Sequence, residues 1–288
     1  MRMIGHQEIL KDMQSLAVRG ALSQSYLFFG PAMAGKRTAA MAFAKFLEKG
    51  ILEAPYEGEV LQDAKLVNLA SLKAEDSDAK DSIGIDAARE MRNFLWQRPA
   101  ASSRRTLIID DAEMLTTEAQ NALLKVTEEP PPSSLIIFIT SDPDAIVPTI
   151  LSRVQKIYFS PVPEKEVAVW LEKDYAVTKP KAAEAAKRAF GKPGLAWRLL
   201  FDETLRERLT LAENFLKTSL ATRRDFVKEL IEPDNFKLRE FLAAVALQLA
   251  WQPDRARIAP LWHKTLSLQD SAMNFGLNPR LQLEALLV

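Results

Sequence analysis

The spacing of apolar positions changes several times along the chain. From Ile4 to Val18 they recur at helical intervals (Ile9, Leu10, Met13, Leu16, Ala17), which predicts an amphipathic helix. Ser25-Tyr-Leu-Phe-Phe29 is a short continuous apolar run closed by Gly30, the pattern of a buried strand. Thr38 to Leu47 is Ala-rich, with Met41, Phe43, Ala44 and Leu47 on one stripe, and reads as a helix. Leu66–Leu69, Thr106–Asp110 and Leu135–Thr140 read as further strands. Between them, Ser82–Asp86 opens a helix to about Gln97 with Asp86 as its N-cap. Thr116–Glu128 is a second such helix, stopped by Pro130-Pro131-Pro132. The polar stretch Lys73–Asp81 reads as a loop. Strands alternating with helices predict a parallel α/β sheet.

The period changes after Pro161-Val-Pro163, and no convincing strand follows. Glu164–Asp174, Lys179–Phe190 and Leu195–Phe201 read as short helices, Phe236–Trp251 and Leu261–Phe275 as longer ones. The pattern predicts an α/β module over 1–162, a small helical module over 163–204 and a helical C-terminal domain over 205–288. A length of 288 residues agrees with two or three domains.

Lys plus Arg and Asp plus Glu number 38 each, which argues against a protein that coats nucleic acid by bulk charge. There is no cysteine, so disulfides and cysteine-based zinc sites are excluded. The N-terminus is polar and broken by charges, unlike a signal peptide, and no apolar run is long enough to span a membrane. A cytoplasmic protein is expected. His6 and His263, far apart, give no metal signature, and the five Trp residues sit in amphipathic segments that suit a core or an interface. Arg98, Arg104 and Arg105 form a basic loop that reads as solvated charge in preference to a DNA contact.

Four stretches carry candidate chemistry. Gly30-Pro-Ala-Met-Ala-Gly35-Lys36-Arg37-Thr38 lies between a strand and a helix, the context of a phosphate-binding loop. There, backbone N–H groups face phosphate oxygens and Lys36 reaches the outer phosphates. The hydroxyl that ligates Mg²⁺ should follow the Lys, but Arg37 stands there, and Thr38 is about 100° further round the helix. Asp110 ends a buried strand and is placed to hold a metal's water shell, followed by Asp111 where an ATPase carries Glu. Glu113 reads as a solvated residue. Thr140 or Ser141, at the end of the next strand, suits a γ-phosphate sensor, and Arg153 follows a short helix. Taken singly, each has a plainer reading: a Gly-rich turn, an acid-capped strand, a polar strand end, a helix-end charge.

In order along the chain, these residues resemble the AAA+ clamp-loader subunits of bacterial replication, most narrowly the delta-prime branch of the DNA polymerase III loader. The matching stretches are Ile4-Gly-His6, Ser25–Pro31, Ser82-Ile-Gly-Ile-Asp86, Leu107–Ala112, Glu118–Lys125, Glu128-Glu-Pro-Pro131, Ile150-Leu-Ser-Arg153 and Asn278-Pro-Arg-Leu281. The resemblance implies an AAA+ α/β module, a helical lid and a helical collar. It also implies a five-subunit spiral around primer-template DNA, without sequence preference. The implied partners are gamma/tau ATPase subunits, a delta subunit and, indirectly, the sliding clamp. Ser152-Arg153-Val154 takes the place of the Ser-Arg-Cys motif, so Arg153 is the implied trans arginine finger.

Three departures set this chain apart from hydrolysing members: Arg37 for the magnesium hydroxyl, Asp111 for Glu, and Gly194 where an Arg reaching the γ-phosphate belongs. Arg198 lies a turn further on and faces elsewhere in a regular helix. Together they imply a stator that serves its neighbour, with ATP in the loop left open; the alternative is an active gamma/tau-like or helicase-type ATPase. The four-Cys zinc module common in the family is absent or replaced by a metal-free loop over Gly50–Asp63.

Overall fold

The structure is a computed structural model that describes residues 3–56, 58–75, 82–219, 222–232, 236–274 and 277–286. Its contacts divide the chain into two units, residues 1–196 and 197–288.

The first unit is built on five parallel strands: β1 (Ser25–Phe29), β2 (Ala64–Val67), β3 (Arg105–Ile109), β4 (Ser134–Thr140) and β5 (Gln155–Tyr158), in the order β2-β3-β4-β1-β5. Its α-helices as far as residue 151 are α1 (Gln7–Val18), α2 (Lys36–Lys49), α3 (Leu69–Glu75), α4 (Ile85–Trp96), α5 (Thr117–Glu128) and α6 (Pro148–Leu151). Strand residues alternate between two cores, which is why the central runs are apolar throughout. Phe28, Ile108 and Ile137 pack with Leu10, Met13 and Phe43 on one face. Leu27, Leu107, Ile109 and Phe138 pack with Met91, Leu95 and Leu123 on the other. Truncating one of these fully buried Ile or Leu side chains to Ala costs about 2–5 kcal/mol.

The structure corrects four local expectations. β5 follows Arg153 directly; as an edge strand with exposed Gln155 and Lys156 it lacks an apolar run. β2 covers Ala64–Val67, and Leu69 already opens α3, so the predicted loop from Lys73 begins as helix; its remainder, 76–81, lies outside the described residues. An Asn68–Ser71 box drives this: Asn68 Oδ1 accepts the Ser71 N–H at 2.7 Å and Ser71 Oγ accepts the Asn68 N–H at 3.1 Å. The N-cap of α4 is Gly84, because Ile83 is fixed by backbone bonds to Met114 and Thr116; Asp86 lies in the first turn and pairs with Arg89.

Arg104 and Arg105 are half-buried and engaged within the chain. Arg104 donates to the Ser134 and Leu22 carbonyls, and Arg105 lies over the Phe94 ring and pairs with Asp63 at 2.9 Å. Asp63, 1% exposed, also accepts the N–H groups of Ala100, Ala101 and Ser102. Burial pushes this carboxyl up, but those donors and Arg105 outweigh it and leave it below its ordinary value. Arg98 is exposed.

The segment after α2 is fastened back by charge. Glu59 accepts from Lys45 (2.8 Å), Lys49 (2.7 Å) and the Tyr56 N–H, and Glu48 accepts the N–H groups of Gln62 and Asp63. Ala54 and Leu61 are buried in the core beneath.

Helices α7 (Glu164–Tyr175) and α8 (Lys179–Arg188) pack together, with Val167, Leu171, Ala182 and Ala186 buried, and α9 is Pro193–Phe201. The second unit adds α10 (Glu203–Lys217), α11 (Arg223–Ile231), α12 (Leu238–Ala250), α13 (Arg255–Asn274) and α14 (Pro279–Leu286). Asp202 caps α10, accepting the Leu205 N–H. Phe215 meets the Phe241 ring edge-on at 5.5 Å between α10 and α12. Among the described residues no strand follows Pro163, as the sequence predicts, and no helix is long and apolar enough to cross a membrane. Phe275, the predicted end of a helix, lies outside the described residues.

Candidate functional site

β1 delivers the chain to Gly30, where φ is +136°. β5 passes so close that a Cβ at Gly30 would stand 2.3 Å from the Phe159 carbonyl oxygen, so only glycine fits. The loop then turns through Met33 (φ 62°) to Gly35, the left-handed N-cap of α2. Lys36, 5% exposed, folds back and donates to the Gly30 carbonyl at 2.6 Å and the Pro31 carbonyl at 2.8 Å. Burial pushes its ammonium below the usual lysine range, against the pull of Glu113 and Asp110.

The next residue departs from the pattern in space as well as in sequence. Arg37 Nε lies 3.9 Å from Asp110 Oδ2, so a guanidinium faces the acid at the end of β3. Asp110 has its carboxyl raised by burial and by the neighbouring Asp111, with Arg37 opposing. Asp111 has left-handed backbone (φ 57°) and opens a 3-10 turn over Ala112–Met114. Thr38 is half-buried on α2.

That 3-10 turn overturns the expectation for Glu113. It carries the side chain across to the end of β4, where Glu113 Oε1 accepts the Ser141 hydroxyl at 2.7 Å and its N–H at 3.3 Å. Glu113 Oε2 is buried with no hydrogen-bond partner among the described residues. Thr140 is buried and its hydroxyl donates to the Asp142 carbonyl, so the strand-end hydroxyl joined to this acid is that of Ser141. The structure thus brings Lys36, Arg37, Asp110, Glu113 and Ser141 to one end of the sheet. Sequence reasoning missed Glu113 because its join to Ser141 depends on a 3-10 turn that brings together residues 28 positions apart.

Gly194 lies against the loop: its N–H donates to the Met33 carbonyl at 3.1 Å, and a Cβ there would stand 3.1 Å from Met33 Cβ. Arg198 is engaged by Asp202 at 2.7 Å. His6, with φ 55°, packs its ring 4.7 Å from that of Phe159, and burial lowers its pKa; the Ile4-Gly-His6 stretch was its only signal.

Ser152 and Arg153 stand apart from this cluster, in the turn from α6 to β5. Both side chains donate to the Thr149 carbonyl, at 3.0 and 2.7 Å, and Arg153 Nη2 pairs with Glu128 at 2.8 Å. Val154, in the place of the motif's Cys, is 7% exposed and packs in the core. A buried residue that the sequence did not single out, Gln120, steadies the approach to α6. Its amide donates to the Leu115 and Ala145 carbonyls and accepts the Val147 N–H at 2.7 Å.

The open side of Gly35 at the start of α2 and the Lys36 ammonium fit a phosphate; the metal position does not fit Mg²⁺. That ion takes oxygen ligands in near-octahedral geometry, and Arg37 offers only donors there. Among the described residues, no three His, Asp or Glu side chains gather as a metal site.

A sequence model of the family described as DNA polymerase III, delta subunit, matches residues 5–163. The chain is similar to DNA polymerase III subunit tau of Bacillus subtilis (strain 168), 32% identical over 166 residues, which are 57% of this chain and 29% of that protein. In fold it is similar to a DNA polymerase III gamma subunit-related protein of Thermotoga maritima, with a TM-score of 0.59 and 20% identity over 96% of this chain and 97% of that one. The architecture is that of an AAA+ α/β module followed by helical modules, as the sequence predicts.

Proposed function

The chain belongs to the family described as DNA polymerase III, delta subunit, and from that premise we propose that it is a delta-prime-like stator of a clamp loader. On this reading it does not turn over ATP. It lends Arg153 to the γ-phosphate site of an adjacent gamma/tau-type ATPase, in a cytoplasmic assembly that also holds a delta subunit, primer-template DNA and, indirectly, the sliding clamp. The division into an α/β module to residue 162, a lid over 163–204 and a collar from 205 belongs to the same proposal.

The observation that carries it is the Arg37–Asp110 contact, which sets a cation where the ATPase reaction needs a metal ligand. Gly194, closed in by Met33, agrees: no side chain reaches the γ-phosphate from that position. Meanwhile Arg153 sits at the surface on a well-braced turn, available to a neighbour. A guanidinium brought to the charge that develops on a transferring phosphate accelerates hydrolysis by about 10³–10⁵. The test is ATP turnover by the purified chain with Mg²⁺ and primed DNA. Negligible turnover is expected; a rate that disappears with Lys36→Ala sinks the stator reading.

A second reading has one observation in its favour, the 32% identity to a protein named subunit tau. On that reading the chain is itself a motor ATPase, and the same assay separates the two.

A further inference from the structure

Resting on the stator reading, we propose that Arg37 takes the place of the divalent cation, so that this loop holds a nucleoside polyphosphate without Mg²⁺. Two features favour a phosphate ligand. Gly35 starts α2 in left-handed backbone with open space where a Cβ would stand, and the Lys36 ammonium, 5% exposed, is kept at the loop by carbonyls it can exchange for phosphate oxygens. A third feature removes the metal. With a hydroxyl at position 37, Asp110 has no guanidinium beside it, and that compensating charge comes from the ion that arrives with the nucleotide. Here Arg37 supplies that charge from within the chain.

The geometry leaves the guanidinium free to act. At 3.9 Å from Asp110 it makes an ion pair and not a hydrogen bond, so its N–H groups are not committed to the carboxylate. Its side chain is 56% exposed, against 18% for Asp110, which places it at the mouth of the site with room to turn. A guanidinium offers paired donors that match phosphate oxygens, as a bound metal does, but it competes with Mg²⁺ for the same space and the same carboxylate. Triphosphate binding and hydrolysis are thereby separated: the loop keeps the anion and loses the ion that orients the attack.

Calorimetric titration of the full chain with ATP, in excess Mg²⁺ and again in excess EDTA, tests this. The dissociation constants are expected to agree within about twofold. Lys36→Ala should abolish binding, which places the ligand in the loop, and the exposed substitution Arg37→Ala should weaken it about tenfold in EDTA. Arg37→Thr, which restores a hydroxyl, should bind about tenfold more tightly with Mg²⁺ than without. Wild-type binding that tightens about tenfold or more with Mg²⁺ overturns the inference. So does no binding in either buffer, or binding that survives Lys36→Ala. ATP turnover in the Mg²⁺ samples bears on the stator reading alone. Metal-dependent binding without turnover defeats this inference and leaves the stator standing; turnover with equal affinity in EDTA does the reverse.

Discussion

The guanidinium of Arg153 is shared between Glu128, whose carboxylate it meets at 2.8 Å, and the Thr149 carbonyl of the short helix α6 before it. The pair is partly open to solvent, with 37% and 46% of the two side chains exposed. Such a pair contributes about 0–1 kcal/mol. On the stator reading, Glu128 holds the arginine in the free chain loosely enough to yield it to a neighbour's γ-phosphate. We predict that Glu128→Gln leaves thermal stability within about 1 kcal/mol of wild type. In a reconstituted loader it should raise hydrolysis at the adjoining site by up to about fivefold, the same energy read as a rate. Slower hydrolysis would show that Glu128 aims the arginine and does not compete for it.

Gln120 predicts a second effect on the same turn. Its amide satisfies three backbone groups between Leu115 and Val147. Gln120→Leu fills the space but strands those groups, at a cost of about 1–3 kcal/mol for each left buried. Chemical denaturation should show the loss of stability, and the reconstituted loader should hydrolyse more slowly with assembly intact. A variant that is destabilised yet supports full hydrolysis would limit Gln120 to a folding role.

Asp63 holds the 98–105 loop to the sheet. Asp63→Ala leaves three backbone N–H groups without their acceptor and Arg105, whose side chain is 12% exposed, without its carboxylate. The expected loss is about 3–5 kcal/mol, measured by urea denaturation. A loss below about 1 kcal/mol would contradict the assignment.

The segment after α2 gives a pH signature. Lys45 first, then Lys49, hold the Glu59 carboxyl down to about 2. A carboxyl depressed on folding contributes stability above its unfolded value of about 4.3, and that contribution fades as pH falls toward 2. Stability compared between wild type and Glu59→Gln should differ steadily from pH 7 to 5 and converge below pH about 4. A gap that persists at pH about 2 would place the effect elsewhere.

Much of this was legible in the chain because burial on both faces writes itself as unbroken apolar runs. β1, β3 and β4 were readable for that reason, as was α5, stopped at Glu128 by the prolines that follow. β5 was hidden because an edge strand with exposed Gln155 and Lys156 carries no such run. α3 was hidden although Asn68 and Ser71 stand at capping-box spacing, a signal that would have found it. In the site, the loop and the strand-end acids were visible as motifs. The join from Glu113 to Ser141 was not, since it depends on a 3-10 turn bringing together residues 28 positions apart. Likewise the sequence shows that Arg37 replaces a hydroxyl, but only the fold shows that it faces Asp110.

On the stator reading, the chemistry of this chain is exercised through Arg153 on another subunit's nucleotide. The most direct measurement is single-turnover ATP hydrolysis at the site adjoining this subunit, in a loader reconstituted with wild-type chain or with Arg153→Ala. Normal assembly and a fall of about 10³-fold or more at that site are expected, with no rescue by Arg153→Lys. Hydrolysis at the wild-type rate in an assembled Arg153→Ala loader would contradict that reading.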